Sequence, residues 1–251
     1  MAIGLLPRPL RAYLILDSDA GDEAFAKALE CGADALLLRL GCSVEDEARR
    51  GARARACALI EATRRKTGAP KLFIEVAPLD SALIEADLDT MFGPGPDGIF
   101  LPACDGAASL QRLSVKLAVR EALAGLADGA TRIGAFVGGD PAGVFALHSF
   151  AGASPRLAAL AFDETGLRAA LALPECGGAA IEMARAMVAL AAASAGVSCL
   201  APPVQSADQA AYAAARRDGF TGAMAFDPEQ VFAIHQIFPA GENRQSPNSP
   251  A

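Results

Sequence analysis

An alternation constrains this chain more than any other feature of its sequence. Short apolar runs recur eight times, and each is followed by a longer amphipathic stretch. The runs are AYLILD (12–17), ADALLLRL (33–40), KLFIEV (71–76), DGIFLP (97–102), TRIGAFV (131–137), LAALAF (157–162), GVSCLA (196–201) and FTGAMAF (220–226). A strand covered on both faces carries apolar residues at successive positions, so near-continuous runs of this length read as buried parallel strands. The intervening segments read as helices near 22–31, 45–68, 80–91, 105–127, 141–152, 177–195, 206–218 and 227–237. The second of these, EDEARRGARARACALIEATRRKTG, has acids at its start, bases in its last turn and Gly68 past its end, which complements the helix dipole. Eight strand–helix units in 251 residues predict an α/β protein with a single (β/α)8 TIM barrel over 1–239. A doubly wound open sheet is the alternative. It is disfavoured because no GxGxxG follows the first strand, and VGGDP (137–141) has neither the Rossmann spacing nor a P-loop lysine. The segment AGENRQSPNSPA (240–251) is polar and aperiodic and reads as a flexible tail or an arm that packs on another subunit.

Charge and hydropathy narrow the function classes. The chain carries 22 basic and 29 acidic residues, for a formal charge of −7. A dedicated nucleic-acid binder needs a basic face to displace counterions, so that class is disfavoured. Mean hydropathy is high at +0.30, but its source is dispersed alanine. No run of about 18 apolar residues is free of charges and breakers; the nearest approach, 186–201, is interrupted by Ser194, Gly196 and Ser198. MAIGLLPRPLRAY at the start lacks the long apolar core of a secretory leader. A cytoplasmic protein without membrane association is the expectation. Cys31, Cys42, Cys57, Cys104, Cys176 and Cys199 form no CxxC pair, and His148 and His235 are the only histidines, so a Cys/His zinc site is not expected and the thiols read as reduced packing residues.

In a (β/α)8 barrel the chemistry belongs to the C-terminal ends of the strands and the loops that follow. There the sequence places Asp17, Asp19, Arg39, Glu75, Asp80, Asp105, Asp140, Asp163, Glu164 and Asp227, an acidic ring with one arginine. Carboxylates in such a ring suit Mg2+, Ca2+ or Mn2+, or a cationic ligand. Asp80, Asp105 and Asp227 directly precede helices and read as N-caps. Arg39 and Glu75 lie inside apolar strands, where a charge is costly unless paired. On adjacent strands they are expected to form an ion pair that neutralises itself; alternatively Arg39 holds a substrate carboxylate in a bidentate grip. Both are the candidate catalytic residues, and Arg39 is the candidate substrate-binding residue. His148 reads as a core or cap histidine. The basic run RRGARARA (49–56), close to Glu45, Asp46 and Glu47, reads as a solvated helix face. Cys42 and Cys104 fall just past strand ends, but a reactive thiol needs a neighbour that lowers its pKa, and only Arg39 beside Cys42 could supply one.

The stretches FAKALECGADALLLRL (25–40), GPDGIFLP (95–102), ASPRLAALAF (153–162) and GFTGAMAFDPEQVFAIHQIFP (219–239) resemble the HpcH/HpaI aldolase and citrate lyase beta-subunit family, over about residues 10–240. The last resembles that family's GFxGKxxIHPxQI segment, with Gly219, Phe220, Gly222, Pro228 and Gln230 in place. The resemblance implies a barrel that assembles as a homo-oligomer, a trimer or hexamer. It implies a carbon–carbon lyase acting on a small hydroxy or keto acid or its CoA thioester, with Mg2+ stabilising an enolate. It also marks departures. The family's DLED segment reads Arg39, Leu40, Gly41, Cys42, and the Arg of its RVN motif is Glu75. The Lys of its LPK motif is Ala103, and the His of IHPxQ is Asp227. Its two metal-binding carboxylates fall on Gly139 and Gly166. Glycine offers a metal no side-chain ligand, so Mg2+ would have to be held by the displaced carboxylates Asp140, Asp163 and Glu164. Two functions follow as expectations: a divergent lyase with a rebuilt site, or a non-catalytic paralogue that binds a small molecule or serves as a subunit of an active lyase.

Overall fold

Residues along each strand alternate between two dry environments, which is why the apolar runs are continuous. The computed structural model describes residues 10–41, 46–64, 66–93, 95–173, 178–204 and 208–239. In it β1 (Ala12–Asp17), β2 (Ala35–Arg39), β3 (Lys71–Glu75), β4 (Gly98–Leu101), β5 (Arg132–Val137), β6 (Leu157–Phe162), β7 (Ser198–Ala201) and β8 (Gly222–Ala225) form a closed barrel in chain order. Every neighbouring pair is parallel, and β1 pairs with β8 to close the ring. This is the (β/α)8 barrel expected from the sequence. The tail beyond Pro239, Cys42 and Cys176 lie outside the described residues.

Between and after the strands run α1 (Asp22–Glu30), α2 (Asp46–Arg64), α3 (Ile84–Met91), α4 (Ala107–Leu123), α5 (Pro141–Ala146), α6 (Glu164–Ala170), α7 (Ala179–Ala195), α8 (Gln209–Arg217) and α9 (Pro228–Ile237). A single 3-10 turn, Leu147–Phe150, extends α5. The alternation did not reveal α6. Its sequence, ETGLRAA, contains a glycine and a single fully buried side chain, Leu167, so no periodicity announces it.

Outward-facing strand residues such as Leu14, Leu36, Ile74 and Leu160 pack under the helices. Inward-facing residues make a separate core from Tyr13, Ile15, Ala35, Leu37, Phe73, Phe100, Ala159, Ala161, Leu200 and Met224. Four rings plug the barrel: Tyr13 lies 5.5 Å from Phe73 and 5.8 Å from Phe100, Phe73 lies 5.6 Å from Phe100, and Phe136 continues the stack 5.2 Å from Phe100. Tilted and edge-on contacts of this kind suit the ring quadrupoles. Glycines make room for them. A Cβ on Gly98 would run into the Phe73 ring, and one on Gly134 into the Phe100 ring.

The basic run is not a solvated face. Arg49 and Arg53, four residues apart on α2, are 5% and 4% exposed and converge on the fully buried Asp87 of α3. Arg49 donates from Nη2 to Asp87 Oδ2 at 2.6 Å and from Nη1 to the Gly41 carbonyl at 2.6 Å. Arg53 Nε donates to Asp87 Oδ1 at 2.7 Å, and the Ala77 amide adds a bond at 2.8 Å. Arg50 is exposed, as the sequence reading had it. Only the two arginines on the barrel-facing side of α2 are drawn inward, because Asp87 offers a carboxylate there.

Candidate functional site

The mouth begins where the inward stripe of each strand passes from apolar to charged. Asp17, Arg39 and Glu75 are successive in register across β1, β2 and β3, and Phe100 follows them on β4. Neighbouring strands lie about 4.8 Å apart, so the three side chains leave one edge of the barrel as a row. The expected Arg39–Glu75 pair does not form. Arg39 turns the other way: Nε donates to Asp17 Oδ1 at 2.9 Å and Nη2 to Asp17 Oδ2 at 3.1 Å. Asp17 ends its strand with a side chain 51% exposed, so the fork forms where neither charge must be fully stripped of water. The Phe226 ring, just past β8, lies 5.6 Å from the guanidinium carbon and covers one face of it.

Glu75 is left half-buried beside this fork, and no hydrogen bond to its carboxylate forms among the described residues. Burial pushes its pKa up from the ordinary value; Arg39 pulls it down, while Asp17 and then Asp163 add like charge. Asp163 and Arg49 therefore belong to the same electrostatic neighbourhood as the row.

Asp140 and Asp163, expected to hold a metal, are helix caps. Asp140 Oδ1 accepts from the Gly143 amide at 2.8 Å and caps α5. Asp163 Oδ1 accepts from the Gly166 amide at 2.9 Å and caps α6. Glu164 accepts from Arg168 at 2.7 Å and from Arg185 at 3.2 Å, so both its oxygens face guanidinium groups. Of the three aspartates expected to be caps, only Asp227 is one: it accepts from the Glu229 amide at 2.8 Å, and Gln230 returns a bond to the Asp227 amide at 3.0 Å. Asp80 instead pairs with Arg112 at 3.1 Å, and Asp105 accepts from Ser109 at 2.5 Å.

The structure does bring Gly139 and Gly166 together. A Cβ on Gly139 would meet Asp163 Oδ2 at 2.6 Å; one on Gly166 would meet the same oxygen at 2.5 Å and the Gly139 carbonyl at 3.0 Å. Asp163 thus occupies the space that side chains at both positions would need. The donor set does not fit Mg2+. Asp140 and Asp163 each give one oxygen to a helix amide, and both oxygens of Glu164 face guanidinium groups, whereas Mg2+ requires near-octahedral oxygen coordination, in practice one or two carboxylates together with waters and ligand oxygens. Among the described residues, no three His, Cys, Asp or Glu side chains come together to hold an ion.

The remaining candidates fall away from the chemistry. Cys104 is buried, and burial pushes its thiol up to about 12, which removes any thiolate at neutral pH. His148 is exposed and donates through Nδ1 to the Phe145 carbonyl at 3.0 Å if that nitrogen carries the proton. His235 lies at the opposite end of the barrel, 3.1 Å from Asp34. Sequence reasoning placed Asp17 at the mouth without pairing it to Arg39, and it missed Phe226. The signal for Asp17 was its place as the last residue of the first strand, level with Arg39; Phe226 carried none, because its role depends on the ring closing.

The family model for HpcH/HpaI aldolase/citrate lyase matches residues 18–232. No curated protein sequence matches. Among solved structures, RipC from Yersinia pestis is similar at 23% identity with a TM-score of 0.72, covering 92% of this chain and 96% of that one. The citrate lyase beta subunit of M. tuberculosis, complexed with oxaloacetate and magnesium, gives 19% identity and a TM-score of 0.70, covering 91% and 96%. Haloferax volcanii malate synthase, as a lead(II) complex, gives 14% identity and 0.78, covering 94% and 75%. At these identities the likeness to solved structures is one of fold. The family match, spanning most of the chain, goes further: this protein belongs to the HpcH/HpaI aldolase/citrate lyase family.

Proposed function

We propose that this chain is a non-catalytic member of its family that binds a small carboxylic acid at the barrel mouth, alone or as a subunit beside an active lyase. Arg39 is the group that receives the acid, and Asp17 is a positioning residue that fixes the guanidinium. One observation carries the reading: Asp140 and Asp163 each give one oxygen to a helix amide, Glu164 gives both to arginines, and among the described residues no three such side chains come together, which argues against a cage for the ion that stabilises an enolate in this chemistry. The oxaloacetate and magnesium named with the M. tuberculosis citrate lyase beta subunit, and the acetoacetate and coenzyme A named with a CitE structure, supply the ligands to try.

The test is calorimetry with Mg2+ and Mn2+ beside an NMR assay of deuterium exchange next to the keto group of oxaloacetate. The expected result is no metal-binding heat, no rise in melting temperature at millimolar metal and no exchange beyond that of oxaloacetate with the same metal and no protein. Metal-dependent exchange above that protein-free rate would instead favour the second reading, a divergent carbon–carbon lyase acting on a small hydroxy or keto acid or its CoA thioester. That reading is favoured by the Asp163 oxygen lodged between Gly139 and Gly166, a carboxylate delivered to the very spot that the lost pair vacated. In either reading the protein is a cytoplasmic homo-oligomer, a trimer or hexamer. The apolar stripe on α4, with Val115, Val119 and Leu123 at 65%, 54% and 83% exposed, supports an interface, and light scattering gives the mass.

A further inference from the structure

Among the described residues, the mouth holds an arginine with an unused edge beside a carboxylate with no hydrogen-bond partner. Asp17 takes Nε and one hydrogen of Nη2. Among the described residues nothing bonds Nη1, and Phe226 shields one face. The guanidinium is therefore held on one side, and the Arg39 side chain remains 36% exposed. Glu75 stands next in register on β3, half-buried, and both cations that act on it are engaged elsewhere, Arg39 by Asp17 and Arg49 by Asp87. An ionised carboxylate held out of water without a cation is unfavourable. The like charges of Asp17 and Asp163 add to that cost.

The signs of these charges discriminate among ligands. Arg39 is balanced by Asp17 and Arg49 is tied to Asp87, so Glu75 and Asp163 are carboxylates left without an ion-pair partner at the mouth among the described residues. A dianion meets their charge head-on. A simple amine would satisfy Glu75 but leave the Arg39 edge idle. A molecule with a carboxylate at one end and an ammonium at the other answers both. Arg39 and Glu75 rise from adjacent strands about 4.8 Å apart, which suits a short carbon skeleton. Phe136, stacked on Phe100 below, closes the floor to anything that must reach deeper.

We propose that the mouth binds a small zwitterion of the amino-acid type, with Arg39 receiving the carboxylate and Glu75 the ammonium. The proposal rests on the small-acid reading above and adds the second charge. Calorimetry on the full-length protein without added metal tests it with L-alanine, β-alanine and γ-aminobutyrate as zwitterions, pyruvate as the monoanion, oxaloacetate as the dianion and propylamine as the cation. At least one zwitterion is expected to bind about tenfold more tightly than the other three classes. Glu75→Gln is expected to erase that preference while sparing or improving pyruvate binding, and Arg39→Gln to weaken both. Matching melting curves of the three proteins show that the fold survives; if Arg39→Gln unfolds, the loss of preference in Glu75→Gln decides alone. Pyruvate or oxaloacetate binding as well as any zwitterion overturns this proposal but leaves the small-acid reading standing. Propylamine binding best overturns both, as does the absence of binding by every probe.

Discussion

Asp163 governs the mouth at the scale of single residues. One oxygen caps α6, and the other fills the space over Gly139 and Gly166. Asp163→Ala is expected to cost about 1 kcal/mol in urea unfolding, the usual worth of a cap. Gly166→Ala is expected to cost about 1–3 kcal/mol, because its Cβ would sit 2.5 Å from Asp163 Oδ2. The two changes together should cost less than their sum, since removing the carboxylate removes the obstruction; a double-mutant cycle that closes additively would disprove the coupling. Ala103, just past β4, has φ 48°, a left-handed conformation that an alanine side chain opposes. Ala103→Gly is expected to raise stability by about 1 kcal/mol in the same assay.

At the scale of elements, buried charge clusters hold the helices to the ring. Asp87→Ala would strand Arg49 and Arg53 without their shared carboxylate, and we expect a loss of about 3–5 kcal/mol in chemical denaturation. Asp34 ties α9 to the barrel floor: it accepts from the Arg11 and Ala12 amides at 2.9 and 3.0 Å and lies 3.1 Å from His235 Nε2. Burial alone would raise its pKa, but the His235 hydrogen bond and the two amides outweigh burial and hold it at about 2, below the ordinary 3.8. A lowered carboxylate pKa stabilises the folded state above the unfolded value, and that stability drains as pH falls toward the folded one. The contribution is therefore full above about pH 5, on the order of 2 kcal/mol, and fades toward pH 2. Asp34→Asn should differ from the parent protein by that amount at pH 7 and converge with it in acid, as read from urea midpoints across the range. Elements were also where the sequence was most legible. All eight strands could be read because residues dry on both sides leave continuous apolar runs. The mouth was harder, since an aspartate after a strand has the same one-letter signature whether it caps a helix or holds a ligand. Asp140 and Asp163 looked like ligands and are caps; Asp80 and Asp105 looked like caps and are partners of Arg112 and Ser109. Arg39 had two carboxylates at equal distance in sequence register, and only the structure decides between Asp17 and Glu75.

For the whole molecule, the decisive fact is closure. The Ala223 amide donates to the Arg11 carbonyl at 2.8 Å, and Arg11 Nη1 donates to the Phe238 carbonyl at 2.8 Å. Gly222 has no room for a side chain, because a Cβ would press into the Arg11 backbone. Gly222→Ala is expected to lower stability by about 2–3 kcal/mol, a fall of roughly 2–4 °C in melting temperature per kcal/mol for a chain of this size. Scanning calorimetry measures it. The same seam sets a timetable for synthesis. The first strand leaves the ribosome more than 200 residues before its second neighbour exists, so through nearly the whole of translation one of its hydrogen-bonding edges has no mate. A nascent chain halted before Gly222 is an open staircase, and release of the final turns is what shuts it.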